Sequence, residues 1–138
     1  MNVNLRGVFA CLKYQLRSIV DGGSIVNVAS AAGTYGGPMI SPYIAAKHGV
    51  VGLSKAAAYE YADRSIRVNA VCPGWTDTVL AQEFIESLNG LITPNTVPQL
   101  FKHFAKPEDV AGIIVFLLSD DSKFATKGVF AIDGGYVA

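Results

Sequence analysis

Apolar residues near the start of the chain recur at three- and four-residue intervals: Val8, Phe9, Leu12, Leu16 and Ile19. This spacing predicts a helix over 2–19, which Asp21-Gly22-Gly23 stops. Over 24–30 the pattern changes. Ile25, Val26, Val28 and Ala29 form a short run rich in β-branched residues, as in a strand covered on both faces. The glycine-rich stretch over 33–38 reads as a loop. Ser41-Pro42 then offers a capping residue and a proline for the first helical position, and a helix is expected over 42–64. It carries Ala45, Ala46, Gly49, Gly52, Ala56, Ala57, Ala58 and Ala62. Glycines cost a helix stability, so close approach of another element is the expected compensation.

Downstream, 66–72 reads as a second strand ended by Pro73-Gly74, and 77–88 as a helix ended by Asn89-Gly90. The stretch 91–104 is irregular, broken by Pro94 and Pro98. Pro107 opens a helix over 107–118, with Glu108 and Asp109 at its positive N-terminal end. A third strand over 129–132 precedes Asp133-Gly134-Gly135. Helix and strand therefore alternate, which predicts an α/β fold with a parallel sheet and right-handed crossovers. Three strands are few for a doubly wound domain, and no strand precedes the first helix. A partial sheet is expected.

The chain has 138 residues, room for a single domain with a real core. Half of it is hydrophobic and 16% is charged, which excludes a disordered chain. Eleven basic and eleven acidic residues cancel, so neither nucleic acid nor an anionic membrane is an expected partner. No apolar run approaches a membrane span. Cys11 and Cys72 make no disulfide framework, so a reducing, cytoplasmic setting is expected. With only His48 and His103, a histidine-rich metal site is not expected. Cys72 reads as a small buried hydrophobe, His48 as facing a neighbouring helix, and Tyr59 and Tyr61 as packing residues. Asp133 reads as a turn residue at a strand end. No Gly-x-Ser-x-Gly occurs, so a serine hydrolase is set aside.

Tyr43 and Lys47 lie four residues apart and share a helix face. An ammonium about 5 Å from a phenol, at an effective dielectric near 20, favours the phenolate by ~3 kcal/mol. Such a phenol is suited to proton transfer. Alone, the pair reads as a solvated helix face. Its context is more specific. Asn4 sits in Asn-Val-Asn-Leu-Arg-Gly-Val-Phe, and Ser30 ends Asn-Val-Ala-Ser, thirteen residues before Tyr43. Then follow Tyr43-Ile-Ala-Ala-Lys47, Ile66-Arg-Val-Asn-Ala-Val-Cys-Pro-Gly74, Lys106-Pro-Glu-Asp-Val-Ala111 and Ile132-Asp-Gly-Gly135. In this order, over essentially the whole chain, the set resembles the classical short-chain dehydrogenase/reductase family.

The resemblance implies a partial Rossmann-like, doubly wound parallel sheet, comprising the last three strands of seven with their helices. It implies an oxidoreductase that uses NAD or NADP to interconvert a secondary alcohol and a ketone. Tyr43 is then the general acid/base, and Lys47 the cation that favours its phenolate and hydrogen-bonds the nicotinamide ribose. Ser30 orients the substrate oxygen, and Asn4 holds a water in the proton relay. Pro73, Gly74, Thr76 and Thr78 run beside the nicotinamide carboxamide. The family usually has an aliphatic residue where Thr76 stands. Read locally, Thr76 and Thr78 serve equally well as caps of the helix at Asp77. Ser30 alone reads as a strand end, which only its position relative to Tyr43 reverses, and Asn4 as a polar residue at a terminus.

The family's glycine-rich phosphate loop has no counterpart: no Gly-x-Gly-x-x-Gly occurs, and Gly33-Thr-Tyr-Gly36-Gly37 has the wrong spacing. The resemblance thus implies the C-terminal catalytic half of one domain over 1–138, without its cofactor-binding N-terminal half. It leaves the choice between NAD and NADP open. Without amides for the pyrophosphate, the isolated chain is expected to be poorly active or inactive, with an open apolar edge along 24–30. Met1 is then either the start or an internal methionine of a longer product. The alternative is a non-catalytic fragment that acts through association. Homo-oligomerisation through the helices 2–19 and 42–64 is expected from the family. The segment 79–104, with Phe84, Leu88, Leu91, Ile92, Leu100 and Phe101, is expected to cover a modest apolar substrate.

Overall fold

A computed structural model describes residues 1–89, 92–93 and 95–137. Strands β1 (Ser24–Val28), β2 (Arg67–Pro73) and β3 (Val129–Ile132) alternate with helices α1 (Val8–Ser18), α2 (Ser41–Glu60), α3 (Val79–Ser87) and α4 (Pro107–Leu118). All three strands are parallel, in the order β1-β2-β3. Ser24 lies opposite Arg67, and Ala70 opposite Val129. This is the α/β, Rossmann-like arrangement expected.

The two-residue period of β2 sorts its side chains to two covered faces. Val68 packs with Leu12 and Leu16 of α1 and with Ala57 and Ala58 of α2, while Ala70 and Cys72 pack with Val50 and Val51. Arg67 and Asn69 point the other way. The Arg67 guanidinium donates to the Leu117 and Ser119 carbonyls and to Ser122 Oγ, at 2.7, 2.9 and 2.9 Å. A buried cation thereby satisfies carbonyls at the C-terminal end of α4. Asn69 bridges the Ala125 carbonyl and the Gly128 N–H. With both faces covered, β2 is buried at every position but Pro73.

Several element ends differ from expectation, each for a local reason. The first helix begins as a wider π-helical turn, Asn2–Gly7, before α1. Ser41 is not the cap of α2: Ile40 holds that position without a side-chain bond, and Ser41 is already helical. The helix stops at Glu60 rather than continuing to residue 64. Ala62–Arg64 form a 3-10 turn, and Ser65 follows at φ 54°. The bend lets Arg64 donate to the Leu16 and Ile19 carbonyls, at 3.2 and 2.7 Å, and pair with Asp21 at 2.7 Å. Helix α3 starts at Val79, not residue 77, because the Asp77 N–H is spent on the Ala105 carbonyl in a short parallel bridge. Gly90, Leu91 and Pro94, expected as breakers or cover, lie outside the described residues. The small residues of α2 do admit a neighbour: a methyl group at Gly49 would come within 2.7 Å of Leu5. Among the described residues no helix is long and apolar enough to cross a membrane.

Candidate active site

The carboxyl ends of β1 and β2 and the start of α2 enclose a cavity of about 400 Å³, within the usual range for small-molecule sites. Ser30, Tyr43, Pro73, Gly74, Thr76 and Thr78 all line it. Six of the eight expected site residues thus meet at one place, in the crevice outside strand ends where such sheets bind ligands.

Ser30 arrives there because it leaves β1 in extended conformation and caps the short turn Ala31–Gly33, its Oγ accepting the Ala32 N–H at 3.2 Å. The hydroxyl proton has no acceptor among the described residues, so it can donate into the cavity. Gly33 is required behind this turn: a Cβ there would lie 2.9 Å from the Lys47 carbonyl oxygen. Tyr43 sits in the first turn of α2, and its hydroxyl makes no hydrogen bond among the described residues.

Lys47 does not line the cavity but stands directly behind it. Its Nζ is 5.6 Å from the centre of the Tyr43 ring and donates to the Val28 carbonyl at 3.3 Å. The ammonium and the phenol therefore lie on one side of α2. Burial pushes Lys47 below its ordinary value of 10.5, and the neighbouring Cys72 thiol opposes that shift. Asn4 is half-buried in the N-terminal turn, is not among the cavity-lining residues, and makes no side-chain hydrogen bond among the described residues.

Thr76 Oγ1 donates to the Gly74 carbonyl, whereas its backbone N–H has no acceptor among the described residues. Thr78 caps α3 by accepting the Ala81 N–H at 3.2 Å and also borders the cavity. Gly74 allows the close approach of Asp133, whose carboxylate accepts the Gly135 and Val137 N–H groups. Asp133 is thus a turn residue, as expected. Cys72 is fully buried, and burial pushes its thiol up. His48 is exposed rather than facing a neighbouring helix, its Nδ1 3.0 Å from the Ile44 carbonyl of its own helix. Tyr59 is not packed: it is exposed, and Lys127 Nζ donates to its hydroxyl at 2.6 Å. Tyr61 does pack against the core.

Three aromatic cavity residues escaped the sequence reading: Tyr35, Trp75 and Tyr136. Trp75 stacks on Phe84 and Phe104, with ring centres 6.1 and 6.2 Å apart. Its position just after Pro73-Gly74, at a strand's carboxyl end, was a usable signal. Tyr35 and Tyr136 share a hydrogen bond of 2.8 Å across 101 residues of sequence, and no local pattern announces it. Burial pushes the Tyr35 phenol well up, and Tyr136 adds to this.

Comparison with known proteins fits this geometry. A family model described as enoyl-(acyl carrier protein) reductase matches residues 1–137. Cyclohexanol dehydrogenase of Acinetobacter sp. (strain SE19) is 45% identical over 140 residues, covering 100% of this chain and 53% of that protein. A short chain dehydrogenase family protein from Francisella tularensis superposes with a TM-score of 0.91 at 31% identity, covering 98% of this chain and 59% of that one. ElxO with NADP bound superposes at 0.83 with 37% identity, covering 96% and 54%. The chain spans about half the length of the curated relatives it matches. With a family model that matches essentially the whole chain, and with these relatives, the chain belongs to the short-chain dehydrogenase/reductase family.

Proposed function

We propose that these residues form the catalytic half of an NAD(P)-dependent oxidoreductase that interconverts a secondary alcohol and a ketone. The observation that carries this reading is the convergence of the Ser30 and Tyr43 hydroxyls on one cavity, with the Lys47 ammonium behind the phenol. In oxidation, Ser30 donates a hydrogen bond to the substrate oxygen and holds the alcohol against Tyr43. The phenolate of Tyr43 takes the hydroxyl proton as the carbon–oxygen double bond forms. Lys47 stabilises that phenolate electrostatically, and its attachment to the Val28 carbonyl fixes where the charge sits. In reduction the proton returns to the oxygen from Tyr43. Asn4 acts as a positioning residue for a water between Lys47 and solvent.

The residues present fit the nicotinamide end of a dinucleotide. Thr76 offers an unengaged backbone N–H beside Pro73 and Gly74, and Lys47 offers a donor for ribose hydroxyls. Bound nicotinamide supplies the hydride acceptor or donor. The sequence contains no Gly-x-Gly-x-x-Gly, so the chain by itself is expected to hold the pyrophosphate weakly. Relatives named for cyclohexanol and related ring alcohols support a secondary-alcohol substrate. The test is a chimera carrying residues 1–137 in place of the matching half of the Acinetobacter enzyme. Nicotinamide-dependent oxidation of ring alcohols supports the reading. A folded, cofactor-binding chimera without turnover on any alcohol or ketone contradicts it.

A second reading, association without catalysis, is favoured by uncovered apolar surface. On α4, Val115 and Leu118 are 65% and 48% exposed, and at the end of β1 Val28 is 46% exposed. Between α1 and α2 an open groove is lined by Leu5, Phe9, Gly49, Gly52 and Leu53. This is the face through which homo-oligomerisation is proposed. A discrete dimer of the chain on size exclusion, with no turnover in the chimera, would favour this reading.

A further inference from the structure

We propose that the facing phenols of Tyr35 and Tyr136 form a second polar subsite in the cavity. The subsite selects compact cyclic substrates that carry a neutral oxygen acceptor away from the reacting carbon. The inference rests on reading this cavity as the substrate site.

Apart from Ser30, Tyr43 and the two threonines, the wall is apolar, with Trp75, Phe84, Ile40 and Leu80 among its residues. Tyr35 and Tyr136 add a further hydroxyl pair. Their rings meet edge to face, 5.1 Å apart at 72°, and their oxygens are 2.8 Å apart. The pair is held from both sides. Tyr136 lies in the turn braced by Asp133, whose carboxylate accepts the Gly135 and Val137 N–H groups. Gly37 packs on Tyr35, where a Cβ would come within 3.1 Å of the ring.

Two phenols carry two hydroxyl protons, and the bond between them uses one. Neither hydroxyl has any other partner among the described residues. Whichever phenol donates to the other, one O–H remains for a ligand or for water. A phenol is an O–H donor at neutral pH, and burial raises Tyr35 further above its ordinary 10.0. Among the described residues no lysine or arginine lines the cavity, so a neutral carbonyl, hydroxyl or ether oxygen suits this donor better than a carboxylate. A simple ketone satisfies only the Ser30 and Tyr43 end. A second oxygen on the same ring exchanges a water-bound O–H for a direct hydrogen bond in a sheltered wall.

Trp75 is the only tryptophan and lines the cavity, so its fluorescence reports occupancy without any cofactor. The experiment titrates the 138-residue chain with cyclohexanone and with cyclohexane-1,4-dione. The expected result is tighter binding of the dione by roughly three- to tenfold, the range of one net hydrogen bond. Tyr35→Phe/Tyr136→Phe should bring that ratio to about one while cyclohexanone affinity stays within about twofold. Equal affinities in the unsubstituted chain, a preference that survives in the double variant, or no Trp75 response to either ketone would each overturn the proposal. The comparison within the unsubstituted chain decides the matter even if the double variant fails to fold. Because no turnover is read, failure here is distinct from failure of the oxidoreductase reading, which shows in the chimera.

Discussion

Lys47 Nζ donates to the Val28 carbonyl at 3.3 Å, tying the first turns of α2 to the carboxyl end of β1. The bond aims a partly buried ammonium at the back of the Tyr43 ring. Burial holds Lys47 below its ordinary 10.5, so the unfolded chain binds this proton more readily than the folded one. Stability should therefore rise with pH from the lowered folded value to the ordinary one. Lys47→Met should flatten that rise, as read from urea midpoints across the alkaline range. An unchanged pH slope would contradict the assignment.

Tyr35 shifts the other way. Burial and the Tyr136 hydrogen bond raise it above its ordinary 10.0. Its contribution to stability is full below that value and falls away as pH rises beyond it, because the unfolded chain then gives up the proton first. Tyr35→Phe should make the alkaline loss of stability shallower. An alkaline unfolding profile identical to that of the parent would contradict this.

Gly74 has no room for a side chain. A methyl group there would lie 2.8 Å from Asp133 Cα, 2.9 Å from its Cβ and 3.0 Å from its carbonyl oxygen. Two of these atoms are backbone and cannot swing aside. Gly74→Ala should cost about 1–3 kcal/mol, visible as a lower thermal midpoint. It should also displace the Asp133 turn that carries Tyr136. A neutral substitution would mean that the contact between the ends of β2 and β3 is looser than described.

Arg67 is a buried cation whose hydrogen bonds go to two carbonyls and a serine hydroxyl at the end of α4. Arg67→Met keeps most of the volume but leaves those acceptors without a donor. It should destabilise the chain by about 2–4 kcal/mol. A loss below about 0.5 kcal/mol in urea unfolding would show that water replaces the guanidinium freely.

The parts of the fold legible in the sequence are those governed by local periodicity. The helix opened by Pro107 and the strand Val129–Ile132 have the bounds expected, because a proline with two acidic neighbours and a short apolar run each act locally. The end of α2 was not legible. Nothing near residue 60 signals that Arg64 will turn back to satisfy carbonyls of α1, more than forty residues earlier. The cap of α2 misled for a similar reason: a serine before a proline looks like a cap, but Ile40 takes the position. Within the site, Ser30, Tyr43 and Lys47 were singled out by the ordered set of motifs that resembles the family, not by the spacing of the Tyr43–Lys47 pair alone. Tyr35 and Tyr136 meet only through the fold, and Asn4 stands off the cavity wall despite its motif.

The central claim is that the Tyr43 phenol moves the proton. Its most direct test is Tyr43→Phe in the chimera, compared with the unsubstituted chimera for nicotinamide-dependent oxidation of cyclohexanol. Loss of a proton-transfer group of this kind should lower turnover by roughly 10²-fold or more, with cofactor binding retained. Turnover within about tenfold of the parent would contradict the account.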